Sequence, residues 1–81
     1  MEPRQIAMLL AGRIRMTTEK YVGGTHLHFY DRSEYMFAIA YNDDGSWQAK
    51  ELNGTVLANG ECSADLLPFL RERNMFGSHV E

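Results

Sequence analysis

The stretch Y-M-F-A-I-A-Y-N-D-D-G-S-W, residues 35–47, determines the fold prediction for this chain. Its first seven residues are apolar on both faces of an extended segment, which is typical of a central strand in a sheet. The N-D-D-G segment that follows contains residues that tolerate left-handed backbone conformations, which indicates a tight turn. In the strand, one face would carry Tyr35, Phe37, Ile39 and Tyr41, and the other Met36, Ala38 and Ala40.

Further strands are predicted on both sides of this segment. Residues 25–30 alternate, with Leu27 and Phe29 on one face and His26, His28 and Tyr30 on the other. The D-R-S-E segment that follows them predicts a turn. Residues 46–52 predict a third strand, with Trp47 and Ala49 sharing one face. Asn53-Gly54 is a strong hairpin signal, and residues 55–58 predict a short fourth strand that ends at Asn59-Gly60.

Both ends of the chain predict amphipathic helices. Residues 3–16 place apolar side chains at three- and four-residue spacing, and residues 17–24 indicate a loop that ends in two glycines. In the second helix we expect Asp65 to be the N-cap, because Pro68 then falls at the third helical position, where its missing N–H is not needed. Gly77 is the expected stop.

These elements predict an α+β fold with the order α-β-β-β-β-α. Because each connection between strands is short, the sheet should be a four-stranded antiparallel meander. The N-terminal and C-terminal helices should pack on one face of it. Residues 1–81 form one small domain in this prediction, with a frayed tail at residues 78–81.

Composition limits the classes of protein that the chain can belong to. Apolar residues make up 44% of the 81 residues, enough for one core and too many for a disordered chain. The lone cysteine, Cys62, excludes an internal disulfide and suits a reducing compartment. The N-terminus lacks the apolar core of a signal peptide, and no run approaches the roughly 20 apolar residues of a membrane span. We therefore expect a soluble, cytoplasmic protein.

Charge is distributed unevenly along the sequence. Residues 1–41 carry five basic and four acidic groups (+1), and residues 42–81 carry three basic and seven acidic groups (−4), which gives the net −3. A nucleic-acid-binding domain usually has a basic patch, so we expect no direct contact with nucleic acid. The acidic half suits a basic partner, although an acidic excess can also serve solubility alone.

Two sets of residues could carry chemistry. His26 and His28 lie two residues apart on one strand face, about 7 Å from each other, and could contribute to a metal site if further ligands approached. Cys62 precedes a predicted helix N-terminus, which favours a thiolate, but no base and orienting group are recognisable beside it. We therefore predict no catalytic residue, no metal ligand and no cofactor.

The turn after the central strand is the best candidate for an interaction site. Tyr41 and Trp47 stand at its two stems, and Asp43 and Asp44 form its tip, with Glu51 further along. The two aromatic residues either pin the hairpin to the core or form a partner-facing patch, since Tyr and Trp are common interface anchors. We predict a partner-binding site of Tyr41, Asp43, Asp44, Trp47 and Glu51. The aromatic sheet face could also stack RNA bases, which the acidic balance disfavours.

Residues 35–77, with Y-M-F-A-I-A-Y-N-D-D-G-S-W-Q-A-K followed by S-A-D-L-L-P-F-L, resemble small phage anti-CRISPR proteins in layout. The resemblance is to type I-F inhibitors, which block access of target DNA to the Cascade surveillance complex. It implies a small inhibitor in the host-cell cytoplasm that occupies a nucleic-acid-binding surface of a bacterial protein or ribonucleoprotein. The N-terminal helix departs from that pattern.

The same segment resembles HicB-type antitoxins, which share a β-β-β-α layout and a turn rich in Asp and Gly. That resemblance implies a protein that sheathes a toxin RNase. The segment L-N-G-T-V-L-A-N-G lacks the proline usual in that family, and no DNA-binding tail follows.

The sequence thus predicts a non-enzymatic protein-binding inhibitor. An antitoxin is the second hypothesis, and a small metal protein or enzyme that uses His26 and His28 is the third. An exposed apolar sheet face would also suit a homodimer.

Overall fold

The computed structural model describes residues 2–80. Within them, helices and strands follow in the order α1 (Pro3–Leu9), β1 (Ile14–Tyr21), β2 (Gly24–Asp31), β3 (Glu34–Asn42), β4 (Trp47–Lys50), β5 (Val56–Gly60) and α2 (Leu66–Glu72). Consecutive strands pair antiparallel, so the sheet order is β1-β2-β3-β4-β5. The predicted α+β class and the antiparallel meander are confirmed, but the sheet has five strands instead of four. β3 lies at its centre, as predicted.

The additional strand, β1, replaces sequence that was expected to be helix and loop. The predicted helix over residues 3–16 was wrong beyond Leu9, and the predicted loop over residues 17–24 was wrong. Leu10 already has extended backbone angles (φ −72°, ψ 147°). Gly12 follows, and a glycine inside a helix costs about 1 kcal/mol relative to alanine. The helix therefore ends where its sequence begins to oppose it.

The alternation in β1 is that of a strand. Ile14 is buried and Met16 packs against the core, whereas Arg15 and Thr17 are exposed. Each residue of β1 has a partner in β2. The apolar spacing from residue 6 to 14 fits a helix as well, so the long-range pairing with β2 decides the conformation.

The hairpin between β2 and β3 contains a β-bulge that changes which face Tyr35 occupies. Phe29 pairs with Phe37 and Tyr30 pairs with Tyr35, so Met36 has no partner across the strands. The ring of Tyr35 lies 5.3 Å from that of Tyr30, on the face opposite Phe37, while Met36 packs against the core. The predicted placement of Tyr35 beside Phe37 was therefore wrong, because a bulge shifts the alternation by one residue.

The remaining strand predictions need one change. Gly54 has a positive φ of 92° in the turn between β4 and β5, which confirms the Asn53-Gly54 hairpin. The last strand, however, continues through Asn59 to Gly60 instead of ending before them. The Cβ of any residue larger than glycine at position 60 would come within 2.5 Å of the Trp47 indole. Gly60 thus serves as a close-packed strand residue.

Both helices pack on one face of the sheet, as predicted, and enclose one core. Its buried members are Ile6, Leu10, Ile14, Leu27, Phe29, Phe37, Ile39, Tyr41, Trp47, Ala49, Leu66, Leu70, Met75 and Phe76. The opposite face of the sheet carries no helix within residues 2–80. We call it the open face.

The second helix begins as predicted and ends earlier. Asp65 occupies the N-cap and Pro68 the third helical position, although the Asp65 side chain makes no capping hydrogen bond. The left-handed residue after the helix is Asn74 (φ 58°), so the prediction of Gly77 as the stop was wrong. Gly77 is buried and its N–H donates to the carbonyl of Leu9. The segment predicted to be frayed contains a 3-10 turn at Ser78–Val80, and residue 81 lies outside the described residues.

The sequence was expected to contain no membrane-spanning segment. No helix within residues 2–80 combines the length and the apolar character that crossing a bilayer would require.

Candidate functional site

The turn between β3 and β4 has a well-defined hydrogen-bonded structure. The N–H of Asn42 donates to the carbonyl of Ser46 (2.8 Å), and Gly45 supplies the positive φ of 95°. Oδ1 of Asp44 accepts from the N–H of Ser46 (2.9 Å) and from its hydroxyl (2.6 Å). These hydrogen bonds from Ser46 hold the pKa of Asp44 below its usual value. The turn predicted by N-D-D-G is confirmed.

The two aromatic residues at the stems of this turn belong to the core. Tyr41 is 7% exposed and Trp47 is 4% exposed. The indole N–H of Trp47 donates to the carbonyl of Cys62 (3.0 Å), and its ring lies 5.5 Å from that of Phe69. The sequence left open whether these two residues hold the hairpin to the core or form a surface for a partner, and the structure supports the first alternative. Burial leaves little of either side chain for a partner to contact: the Trp47 ring packs against Phe69 of α2, and Tyr41 lines the groove beside Asp43 and Asp44.

The predicted acidic residues do not form one cluster. Asp43 and Asp44 lie before β4, and Glu51 lies directly after it. The four residues of β4 separate them by about 13 Å, at roughly 3.3 Å per residue. Glu51 therefore lies at the opposite end of the sheet from the turn, although all three are exposed.

Other acidic residues join Asp43 and Asp44 at their end of the sheet. Glu2, at the start of α1, lines the same groove as the two aspartates, together with Lys20. Glu61 follows the end of β5, and Asp65 caps α2, both at this end. We call this surface the acidic end, formed by Glu2, Asp43, Asp44, Glu61 and Asp65. The opposite end carries four arginines and four acids, so the acidic excess of the described chain lies at the acidic end; these residues are Arg13, Arg32, Arg71, Arg73, Asp31, Glu34, Glu51 and Glu72.

The predicted histidine pair lies on the open face within a chain of ring contacts. Its ring centroids are 4.6 Å apart for Tyr21 and His26, 6.0 Å for His26 and His28, and 6.1 Å for His28 and Tyr35. Nδ1 of His28 lies 3.3 Å from the Tyr35 hydroxyl. Tyr30 extends the series through its contact with Tyr35. We call these five residues the ring ladder.

The described part of the chain contains no group of three or more His, Cys, Asp or Glu side chains that could hold a metal ion. Glu19 lies 3.6 Å from Nε2 of His28, as an ion pair when the imidazole is protonated. Cys62 is exposed and its Sγ contacts Asp65 (3.6 Å). Because β3 and β4 lie between β2 and the β5 end that carries Cys62, the thiol and the histidines do not meet.

The sequence missed the contribution of β1 to the open face. Tyr21 completes the ring ladder, and its hydroxyl donates to Oδ1 of Asn42 (2.5 Å). Burial, and then the nearby Asp43 and Asp44, raise the pKa of Tyr21. Burial, followed by Tyr30, also raises the pKa of Tyr35. The signal for Tyr21 was the alternation through residues 14–21, which the helix and loop predictions obscured.

Comparisons of the chain with protein-family models, with curated proteins and with solved structures returned no match.

Proposed function

We propose that the chain is a non-enzymatic binding protein that blocks a basic, nucleic-acid-binding surface of another protein. The partner in this proposal belongs to a bacterial defence complex, and the protein acts in the host-cell cytoplasm as a phage inhibitor. The observation that supports it is the acidic end, where five carboxylates outnumber the nearby cations Lys20 and Arg4, and Arg4 forms an ion pair with Glu2. Carboxylates so arranged can occupy the positions of phosphates against a Lys- and Arg-rich groove.

Hydrogen bonds hold the turn of the acidic end in one conformation. The two hydrogen bonds from Ser46 fix Asp44, and a backbone hydrogen bond from Asp43 N–H to the carbonyl of Gly23 (2.9 Å) joins the turn to the neighbouring hairpin. A preorganised charged surface loses little conformational entropy on binding. Tyr41 and Trp47 are not contact residues in this proposal, because both are buried. Their role is to hold the turn in place.

Glu51 is not part of the proposed contact surface. Its position at the other end of the sheet means that a partner on the acidic end would not reach it. We therefore expect the substitution Glu51→Lys to leave binding unchanged.

An antitoxin that sheathes a basic toxin RNase uses the same acidic surface and remains the second candidate. The identity of the captured partner separates the two: a subunit of a defence nuclease or guide complex supports the first, and a small basic RNase supports the second. The metal-protein alternative gains nothing from the geometry, since the histidines lack a third ligand among the described residues.

The test is capture of partners from bacterial lysate with tagged protein, followed by mass spectrometry and reconstitution with the purified partner. Asp43→Lys with Glu61→Lys should abolish capture, while Glu34→Lys with Glu72→Lys, an equal charge change away from the acidic end, should preserve it. Asp44 is left intact because it organises the turn. If both double variants capture the partner equally well, or no partner is captured, the proposal is wrong.

A further inference from the structure

The open face differs in charge from the rest of the molecule. Within the described strands, the register places Arg15 opposite Tyr30 and Lys50 opposite Ala38, so both cations lie on this face. The register places Glu19 there as well, next to His28. Among the residues of the described strands, Glu19 is the carboxylate that the register places on this face, and Glu51 lies at its margin, where it lines a groove with Tyr35. The strand residues of this face therefore carry more positive than negative charge, although the chain as a whole has a net charge of −3.

The surface between the ring ladder and the second cation is shallow and small. His26, Ala38, Ala40, Gln48 and Lys50 line a depression of about 140 Å³. A site for a drug-sized ligand usually has about 300–1,000 Å³, so this depression is too small for one. The two alanines leave the neighbouring rings accessible from above. A planar group that rests on the face, with one edge in the depression, fits this shape.

A second copy of the chain is a weaker candidate for this face. The five strands contain 8, 8, 9, 4 and 5 residues, so at about 3.3 Å per residue and about 4.8 Å between strands they give a face of roughly 540 Å², against about 800 Å² per partner in a stable interface. Two copies packed face to face would also bring their own Arg15, Lys50 and imidazoles together. Area and charge thus both disfavour a homodimer through this surface alone.

We propose that the open face binds single-stranded nucleic acid, with bases stacked on the ring ladder and phosphates held by Arg15 and Lys50. Such proteins combine aromatic side chains, on which bases stack, with cations that follow the backbone. Here the rings form a series across β1, β2 and β3, and the two cations lie at its margins. Each ring is tilted by 40–46° to the next along the Tyr21–Tyr35 series, and all four of these residues are partly exposed.

The acidic end adjoins the ring ladder at Tyr21, near which Asp43 and Asp44 lie, whereas Arg15 and Lys50 lie toward the other end of the strands. The sequence argued against nucleic acid from the overall charge. The fold changes that argument because it gathers five acids at one end of the sheet, whereas the strand residues of the open face include Arg15, Lys50 and Glu19, and Glu19 pairs with His28 when that imidazole is protonated.

The experiment is fluorescence anisotropy with labelled single-stranded RNA and DNA of about ten nucleotides, a length within the usual site sizes. Tyr35→Ala should weaken binding about 5- to 150-fold, the effect of losing one stacked base. Tyr35→Phe retains the ring and should bind as wild type, which separates stacking from loss of the fold. With two phosphate contacts, the slope of log K against log salt should be about −1.4 for a single strand, and Lys50→Gln should reduce its magnitude by about 0.7.

The matched control is Lys20→Gln, which removes the same charge from the opposite side of the sheet. It should leave the slope unchanged, and Asp43→Lys with Glu61→Lys should not weaken oligonucleotide binding. Equal effects of Lys20→Gln and Lys50→Gln, stronger binding of duplex than of single strands, or no binding at about 1 mM protein would each overturn the proposal. Self-association that Tyr35→Ala abolishes, without oligonucleotide binding, would assign the face to a dimer instead.

Discussion

The ring of Tyr21 crosses Gly24, and its hydroxyl donates a 2.5 Å hydrogen bond to Oδ1 of Asn42 on the next strand but one. The contact connects β1 to β3 across the open face and holds one end of the ring ladder. It is possible only because position 24 has no side chain. An added Cβ there would lie 2.5 Å from the Tyr21 hydroxyl and 2.5 Å from the carbonyl oxygen of Tyr41.

We expect Gly24→Ala to destabilise the fold by about 1–3 kcal/mol, the usual cost of overpacking. The Tyr21 ring could move aside, but the Tyr41 carbonyl belongs to the paired backbone of β3 and cannot. Urea denaturation measures the change. Gly12→Ala is the control, since a Cβ at position 12 meets nothing within 4 Å and its φ is not positive. Equal stabilities of wild type and Gly24→Ala would contradict the packing described here.

We expect substitution of Trp47 to destabilise the fold, and to affect binding only through that loss of stability. Trp47→Ala removes a buried indole together with its hydrogen bond to Cys62, and large-to-small changes of this kind cost about 3–5 kcal/mol. Because the chain has one tryptophan, its emission reports directly on this position. We expect a blue-shifted spectrum in the native wild type. Trp47→Ala has no tryptophan, so its unfolding is followed by circular dichroism, and we expect it at much lower urea than that of wild type. A folded Trp47→Ala variant that only loses partner binding would instead make Trp47 a contact residue.

The acidic turn gives a prediction for low pH. Because the pKa of Asp44 is lowered in the fold, its ionised form stabilises the folded state above the unfolded pKa, near 3.8, and this contribution is lost as pH falls through the lowered pKa. Asp44→Ala should therefore lower the Tm at pH 7, and the difference from wild type should disappear at pH 2. Asp43→Ala, which retains the Ser46 hydrogen bonds, is the control. A Tm difference that persists at pH 2 would exclude ionisation as its cause.

The sequence predicted the centre of this fold better than its edges, for a physical reason. In β2 and β3 the local alternation and the turn residues agree with the final structure, so local information was enough. In β1 the spacing of Ile14 from Leu10 suits a helix, and only pairing with β2, a long-range interaction, makes it a strand. The bulge at Met36 likewise depends on register between two strands, which one strand's pattern does not contain.

Local sequence likewise predicted only the part of the candidate site that does not depend on long-range packing. The exposed turn with Asp43 and Asp44 was local and was found. Whether Tyr41 and Trp47 face a partner depends on which face of the sheet the helices cover, and that is a property of the packed chain. The acidic end combines residues 2, 43, 44, 61 and 65, which become neighbours only when the strand ends align.

The contact between Tyr21 and Asn42 also predicts behaviour at high pH. Burial of the phenol, and then the nearby Asp43 and Asp44, disfavour the phenolate, so the pKa of Tyr21 is raised above its usual value of 10.0. A group with a raised pKa stabilises the fold below the unfolded value, and this contribution is lost as pH rises through the folded pKa. Stability should therefore fall above about pH 10, and less so in Tyr21→Phe.

Tyrosinate absorbance of wild type and Tyr21→Phe isolates the titration of this residue. Asp43→Asn should shift that titration to lower pH, while Glu51→Asn, a neutralisation at the other end of the sheet, should not. A Tyr21 titration that Asp43→Asn leaves in place would show that the acidic turn does not act on this ring.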